Sequence, residues 1–299
     1  MGFNLIQHLG TSAFLISKPL QLMIALCIVK QYRWESKPVF IILDSFNGAK
    51  EATEKLTHVF ESLQSPIFFP LRQNAFSFIR KKKFEHLFID SDVGVKNYIT
   101  LGFQKIFNPR MLIHVFEEGL GTYRNDFYHG LKKKTMNLIG VATSFGTCRF
   151  VTDIYVFNTH EYISKIPSNE LKVRSINSKF STFLAENRGA FNKLFGFNEE
   201  LLKRKQDANC SIYLSNWKID EKFISYFKNI NGDLYIKPHP HIRDLTRFDG
   251  IGLIGAKVPA ELVIAKLMEV YDRVSVFDHY SSVRQYVAGD NLTFRAVSE

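Results

Sequence analysis

Three short stretches carry residue types that can move a proton or hold an anion: "EEG" at 117–119, "KPHPH" at 237–241 and "SS" at 281–282. A carboxylate at the end of a strand can take the proton of an attacking hydroxyl, the role of a general base. An imidazolium donates a hydrogen bond and supplies a proton to a departing oxygen, and a neighbouring anion keeps it charged. A serine hydroxyl at a helix start, together with the backbone N–H groups there, forms an anion site. Each stretch also has an ordinary structural explanation: acidic residues favoured by a helix dipole, exposed histidines in a turn, and a routine serine cap.

The elements around these residues narrow the choice. Glu117 and Glu118 follow the apolar run 111–116, so strand alternation sends their side chains to opposite sides and only one of them into a cleft. Gly119 permits a tight turn, and a helix is expected to begin in the residues after it. Lys237 ends a strand, and His239 between Pro238 and Pro240 makes a rigid cationic loop suited to phosphate. His239 and His241 form an HxH pair, but no Asp, Cys or third His stands at a spacing that would complete a zinc site. "DSD" at 90–92 could hold a divalent ion on a diphosphate; the pattern is too short to select, and Asp92 reads better as the cap of a helix from Val93 onward. A helix is expected from Ser281 or Ser282.

Strand-like runs at 12–17, 38–44, 65–70, 86–90 and 111–116 alternate with helical stretches such as 19–32 and 49–63. After a polar, basic region with an amphipathic helix from 179, a second βα series follows, with strands at 210–216, 233–241, 251–255, 274–278 and 291–297 and helices at 220–229 and 259–272. The expected class is α/β, two Rossmann-like doubly wound domains facing across a cleft. The expected boundaries are a first domain at 1–160, a helical linker at 161–208 and a second domain at 209–299.

The chain has 299 residues, 45% of them hydrophobic, including 28 phenylalanines, which excludes disorder as its main character. A net charge of +10 calls for an anionic partner. The basic clusters at 80–85, 131–135 and 201–206 come without any nucleic-acid-binding signature, so they are solvated helix faces or a surface resting on anionic lipid. Cys27, Cys148 and Cys210 have no paired or metal-type spacing and read as reduced core residues. The most apolar stretch, 20–29, is too short to cross a bilayer and no export signal precedes it. The expected location is cytoplasmic, with peripheral contact to the cytoplasmic face of an anionic inner membrane.

Taken in order, "EEG" at 117–119, "HP" at 239–240 and "SS" at 281–282 match motifs of bacterial sialyltransferases, and the chain resembles the lipooligosaccharide sialyltransferase family and, more distantly, bacterial polysialyltransferases. "FLISKPLQLMIALCIVKQY" at 14–32 looks like that family's first strand and helix, and "VPAELVIAKL" at 258–267 like the segment whose glutamate holds the nucleotide ribose. The resemblance implies an inverting GT-B enzyme using CMP-sialic acid as donor substrate, with no metal or other cofactor, and an oligosaccharide or glycolipid acceptor, such as a terminal galactose of a surface glycan. It makes Glu117 or Glu118 the base, His239 the stabiliser of departing CMP, Ser281 and Ser282 the phosphate ligands and Glu261 the ribose ligand; Gly119, Lys237 and Pro240 beside these motifs are expected to bind substrate as well. The physics agrees, since a single phosphate needs less neutralisation than a diphosphate that recruits a metal. The alternatives are a CMP-Kdo transferase, a metal-dependent transferase using Asp90 and Asp92, and a non-catalytic glycan-assembly protein.

Overall fold

The computed structural model describes residues 8–177, 179–203, 208–242 and 250–297. Residues 204–206 of the third basic cluster lie outside them. The chain divides into two compact units, one of Met1–Asp44 with Leu56–Phe183, the other of Ser45–Lys55 with Leu184–Glu299.

In the first unit the strands are β1 (His8–Leu9), β2 (Ser12–Ile16), β3 (Arg33–Trp34), β4 (Val39–Leu43), β5 (Ile67–Phe69), β6 (His86–Ile89), β7 (Leu112–Phe116), β8 (Val151–Val156) and β9 (Val173–Ser175). Apart from the small pair β1–β3, they form one seven-stranded sheet in the order β5-β4-β2-β6-β7-β8-β9, parallel throughout. Such strands are covered on both faces, which is why β2 and β4 read as unbroken apolar runs and are buried at every position. The chain lays β4 and β5 to one side of β2 and then returns to place β6 on the other, so the order reverses between β2 and β6. Helix α1 (Pro19–Gln31) starts on proline and is buried on nearly every side, including the polar Gln21. Phe14 of β2 and Phe88 of β6 stack at 4.2 Å. Helices α3 (Arg72–Lys82), α4 (Val95–Phe107), α5 (Gly130–Leu138) and α6 (Thr159–Lys165) belong to this unit, and α2 (Ala49–Val59), between β4 and β5, has its first seven residues in the second unit.

The second unit holds α7 (Phe180–Glu186, begun in the first), α8 (Arg188–Phe195), α9 (Glu221–Phe227) and α10 (Ala260–Val270). Its strands are β10 (Asn209–Leu214), β11 (Asp233–Lys237), β12 (Gly252–Leu253), β13 (Arg273–Asp278) and β14 (Leu292–Ala296). They run parallel in the order β12-β11-β10-β13-β14, reversing between β10 and β13. Tyr213, Phe227, Ile236 and Phe277 centre one face of its core. The two Rossmann-like parallel-sheet units are the expected fold class.

Several expectations change. The helix expected from 179 is two helices broken at Asn187, whose ψ of 12° leaves the helical range. Instead of a helix directly after Gly119, a single 3-10 turn at Leu120–Tyr123 appears, and α5 begins only at Gly130. Beyond Ser281 there is a four-residue 3-10 turn, Ser282–Gln285. The expected linker 161–208 is divided, because α6 and β9 complete the first unit while α8 belongs to the second. Residues 45–55 join the second unit, where Asn47 N–H donates to the Pro240 carbonyl at 3.1 Å and Glu51 meets Lys257 at 2.6 Å. The three cysteines are free and buried, and burial pushes the Cys148 and Cys210 thiols up to about 11 and about 12, where they are unreactive.

Candidate functional site

In a doubly wound sheet, ligands bind beyond the strand C-termini where the strand order reverses. In the first unit that place is occupied by a polar cluster. Ser17 and Lys18 follow β2, Asp90 follows β6, Glu118 stands two residues past β7, and Arg72 opens α3. Asp90 accepts hydrogen bonds from Ser17 Oγ at 2.6 Å, Arg72 Nη2 at 3.2 Å and Gln21 Nε2 at 3.4 Å. Glu118 accepts from Lys18 Nζ at 3.0 Å and from the same Gln21 Nε2 at 3.2 Å. Gln21 is fixed in turn by Ser17, whose N–H donates to its Oε1 at 2.8 Å. Burial raises the pKa of Glu118; Lys18 opposes the rise and Asp90 adds to it. A carboxylate so placed holds a proton more readily than a solvated one, the property a general base needs.

The adjacent Glu117 has a different fate. It is 1% exposed against 18% for the Glu118 side chain. It accepts from Tyr123 Oη at 2.5 Å and from the Phe157 N–H at 2.8 Å. Tyr123 Oη also accepts from the Asn158 N–H at 3.2 Å, and its phenol is pushed well above its usual range by burial and then by Glu117. Glu117 therefore ties the loop after β7 to the end of β8. Gly119, at a φ of 122°, makes the bend between them that a side chain would strain, and Thr122 Oγ1 accepts the Glu118 N–H at 3.0 Å.

Asp92 caps no helix. The residue before α4 is Gly94, without a side-chain cap, while both Asp92 oxygens accept backbone N–H groups, from Gly146 at 2.9 Å and Cys148 at 2.8 Å. Asp90 and Asp92 thus serve separate networks, one at the strand ends and one in the core. Among the described residues no group of three or more His, Cys, Asp or Glu side chains is gathered as for a metal ion.

In the second unit the loops after β10, β11 and β12 come together. The His239 N–H donates to Ser215 Oγ at 3.0 Å, and the His239 and His241 rings each stack on Trp217 with centroids 4.7 Å away. Trp217 is 64% exposed, so the platform is open to solvent. Lys237 does not present its ammonium to a ligand as expected: it is buried, donating to the carbonyls of Pro238 at 2.5 Å and Ala256 at 3.1 Å. Desolvation lowers its pKa to about 7, against the pull of Glu261. Glu261 lies in the first turn of α10, also buried, with its pKa raised by burial. Ser281 follows β13 on the far side of β10; its N–H donates to Asp278 at 3.1 Å and its Oγ accepts from Val283 N–H at 3.4 Å. Ser282 begins the 3-10 turn. Asp278, fully buried, is held by Arg284 through Nε at 3.0 Å and Nη2 at 2.5 Å. The expected anion site at the serine pair is thus one short turn whose first N–H is already on a carboxylate.

The two units, each a parallel sheet with polar groups at its strand ends, are of the Rossmann-like α/β type. No protein-family model matches the chain, and no curated protein matches it. Among solved structures, the UDP-GlcNAc 2-epimerase of Methanocaldococcus jannaschii, in complex with UDP-GlcNAc and UDP, is similar at a TM-score of 0.55 and 10% identity, over 96% of this chain and 89% of that one. The wall teichoic acid polymerase TagF is similar at a TM-score of 0.50 and 12% identity, over 91% of this chain and 66% of the polymerase. At these identities the likeness is one of fold.

Sequence reading missed Ser17, Lys18, Gln21 and Arg72 in the first unit and Ser215 and Trp217 in the second. A signal was present for Gln21, an amide among apolar neighbours one turn into a helix, and for Lys18, directly past a strand. Nothing local marks Ser215, which matters only because β11 lies beside β10.

Proposed function

We propose that the chain is an inverting, metal-independent glycosyltransferase that transfers sialic acid from CMP-sialic acid to a sugar hydroxyl, such as that of a terminal galactose, on a bacterial surface glycan. The observation that carries the reading is the division of labour between adjacent carboxylates: Glu117 is locked in the fold, while Glu118 stands partly exposed, with a raised pKa, where the first sheet reverses. Glu118 takes the acceptor proton as the hydroxyl oxygen bonds to the anomeric carbon. The bond from that carbon to the phosphate oxygen breaks, its electron pair stays with CMP, and the configuration inverts. His239, its ring stacked on Trp217, donates a hydrogen bond to the departing phosphate. Ser281 and Ser282 contribute to phosphate binding and Glu261 to holding the ribose. The fold neighbour bound to UDP-GlcNAc and UDP supports a nucleotide-sugar donor, and the match of "EEG", "HP" and "SS" in order supports CMP-sialate among such donors.

The test offers CMP-sialic acid, CMP-Kdo and UDP-GlcNAc separately, each with a galactose-terminated acceptor and a chelator, and measures nucleotide release and product linkage. Turnover of CMP-sialate alone, lost in Glu118→Gln, is the expected result. Turnover of CMP-Kdo or UDP-GlcNAc instead, or full activity in Glu118→Gln, overturns it.

A further inference from the structure

The apolar residues of α4 are arranged in a way that burial in the first unit does not explain. Val95, Ile99, Phe103, Ile106 and Phe107 follow the spacing of one helix face. All are exposed, Ile106 by 71% and Phe107 by 60%. Scattered apolar residues on a surface need no explanation, but a continuous stripe of five on one short helix marks a face that something covers. Helix α3 packs beside α4, and the groove between them, about 420 Å³, is lined by Arg72, Phe76, Arg80, Lys96 and Phe103 among others. Neither helix contains an aspartate or glutamate, and the last turn of α3 adds Lys81 and Lys82.

We propose that the α3–α4 face of the first unit docks on an anionic phospholipid bilayer. The stripe enters the boundary between headgroups and acyl chains while the cations of the groove meet lipid phosphates, the arrangement of an in-plane amphipathic helix. At 13 residues α4 is about 20 Å long, which suits lying in the interface and not crossing it. A second copy of this chain would set the same cations against these, so charge opposes self-association here and favours an anionic surface. Arg72 belongs both to the groove and to the Asp90 cluster, so the docked face borders the candidate base. The inference rests on the exposed residues and holds apart from the transferase reading.

The test is co-sedimentation of the full chain with phosphatidylcholine vesicles, with and without phosphatidylglycerol, at low and high salt. Binding to the phosphatidylglycerol vesicles alone, weakened by salt, is expected. Arg80→Gln with Lys96→Gln should weaken it about thirtyfold, from roughly 1 kcal/mol per cation near the surface. Phe103→Ser with Ile106→Ser should weaken it about tenfold or more through lost apolar insertion, whereas Leu171→Ser, at another exposed leucine of the unit, should leave it unchanged. Melting temperature and circular dichroism verify that the variants fold. Three results overturn the proposal: no binding to anionic vesicles, equal losses in the Leu171 control, or a dimer in solution that the Phe103 and Ile106 changes dissociate.

Discussion

Gln21 is a single amide shared by two carboxylates, and through it the first unit aims Glu118 while keeping Asp90 beside it. Replacing Glu118 with glutamine keeps the shape and removes the proposed base, so kcat should fall about 10²- to 10⁴-fold with little change in melting temperature. Glu117→Gln should do the reverse, lowering stability by about 1–3 kcal/mol because the Phe157 N–H and the Tyr123 hydroxyl lose a charged acceptor. Thermal melts and steady-state kinetics on the same two proteins check both. The raised pKa of this proposed base should place the acid limb of the rate profile above the usual carboxylate range. Lys237 gives a second pH dependence, in stability. Its folded pKa is lowered to about 7 from 10.5, so between those values the unfolded chain holds a proton that the folded chain has released. Stability of the wild type relative to Lys237→Met should therefore rise as pH increases from about 7 to 10.5, as read by urea melts across the range. A flat difference refutes the assignment. Strand alternation made it legible that Glu117 and Glu118 part company. Which one is buried was not legible, because the deciding N–H lies just past β8, a strand whose apolar run is interrupted by Thr152 and Asp153 and was not read.

At the scale of elements, the parallel strands were visible as apolar runs because both of their faces are covered, and most observed bounds fall within two residues of the expected ones. Short helices were less legible. A serine before "VRQ" looks the same whether a full helix or one 3-10 turn follows, and here the Asp278–Arg284 pair fixes the short form. Asp92 shows the same limit: a cap by its sequence position, it instead holds a loop more than fifty residues away. Asp92→Ala would leave two buried N–H groups without an acceptor and should cost about 2–4 kcal/mol in denaturant melts. On the proposed metal-independent mechanism, chelator should leave the activity of the surviving folded fraction unchanged. Loss of metal-dependent turnover with an unchanged melt would instead restore Asp92 to a cation site.

For the whole molecule, βα periodicity gave the class of both units but misplaced their limits, since periodicity marks elements and not the partners they choose. The chain passes between units at 44/45, 55/56 and 183/184, so neither unit is one continuous segment. A fragment of residues 209–299, the limit that periodicity draws, lacks α8 with its buried Phe191, Leu194 and Phe195 and should show no cooperative melt. Residues 184–299 preceded by 45–55 should melt cooperatively. A cooperative transition from 209–299 alone would refute the division.

That discontinuity also has a bearing on biosynthesis. Glu51 leaves the ribosome early, but its partner Lys257 follows 206 positions later. At roughly 5–20 residues per second that is an interval of about 10–40 s. Throughout it, Phe46, Ala49 and Ala52, all buried in the finished protein, wait on the nascent chain for a unit that has not yet been made. The second unit can close only after its last strand emerges, so residues 45–55 are the part of this protein for which a chaperone would matter most.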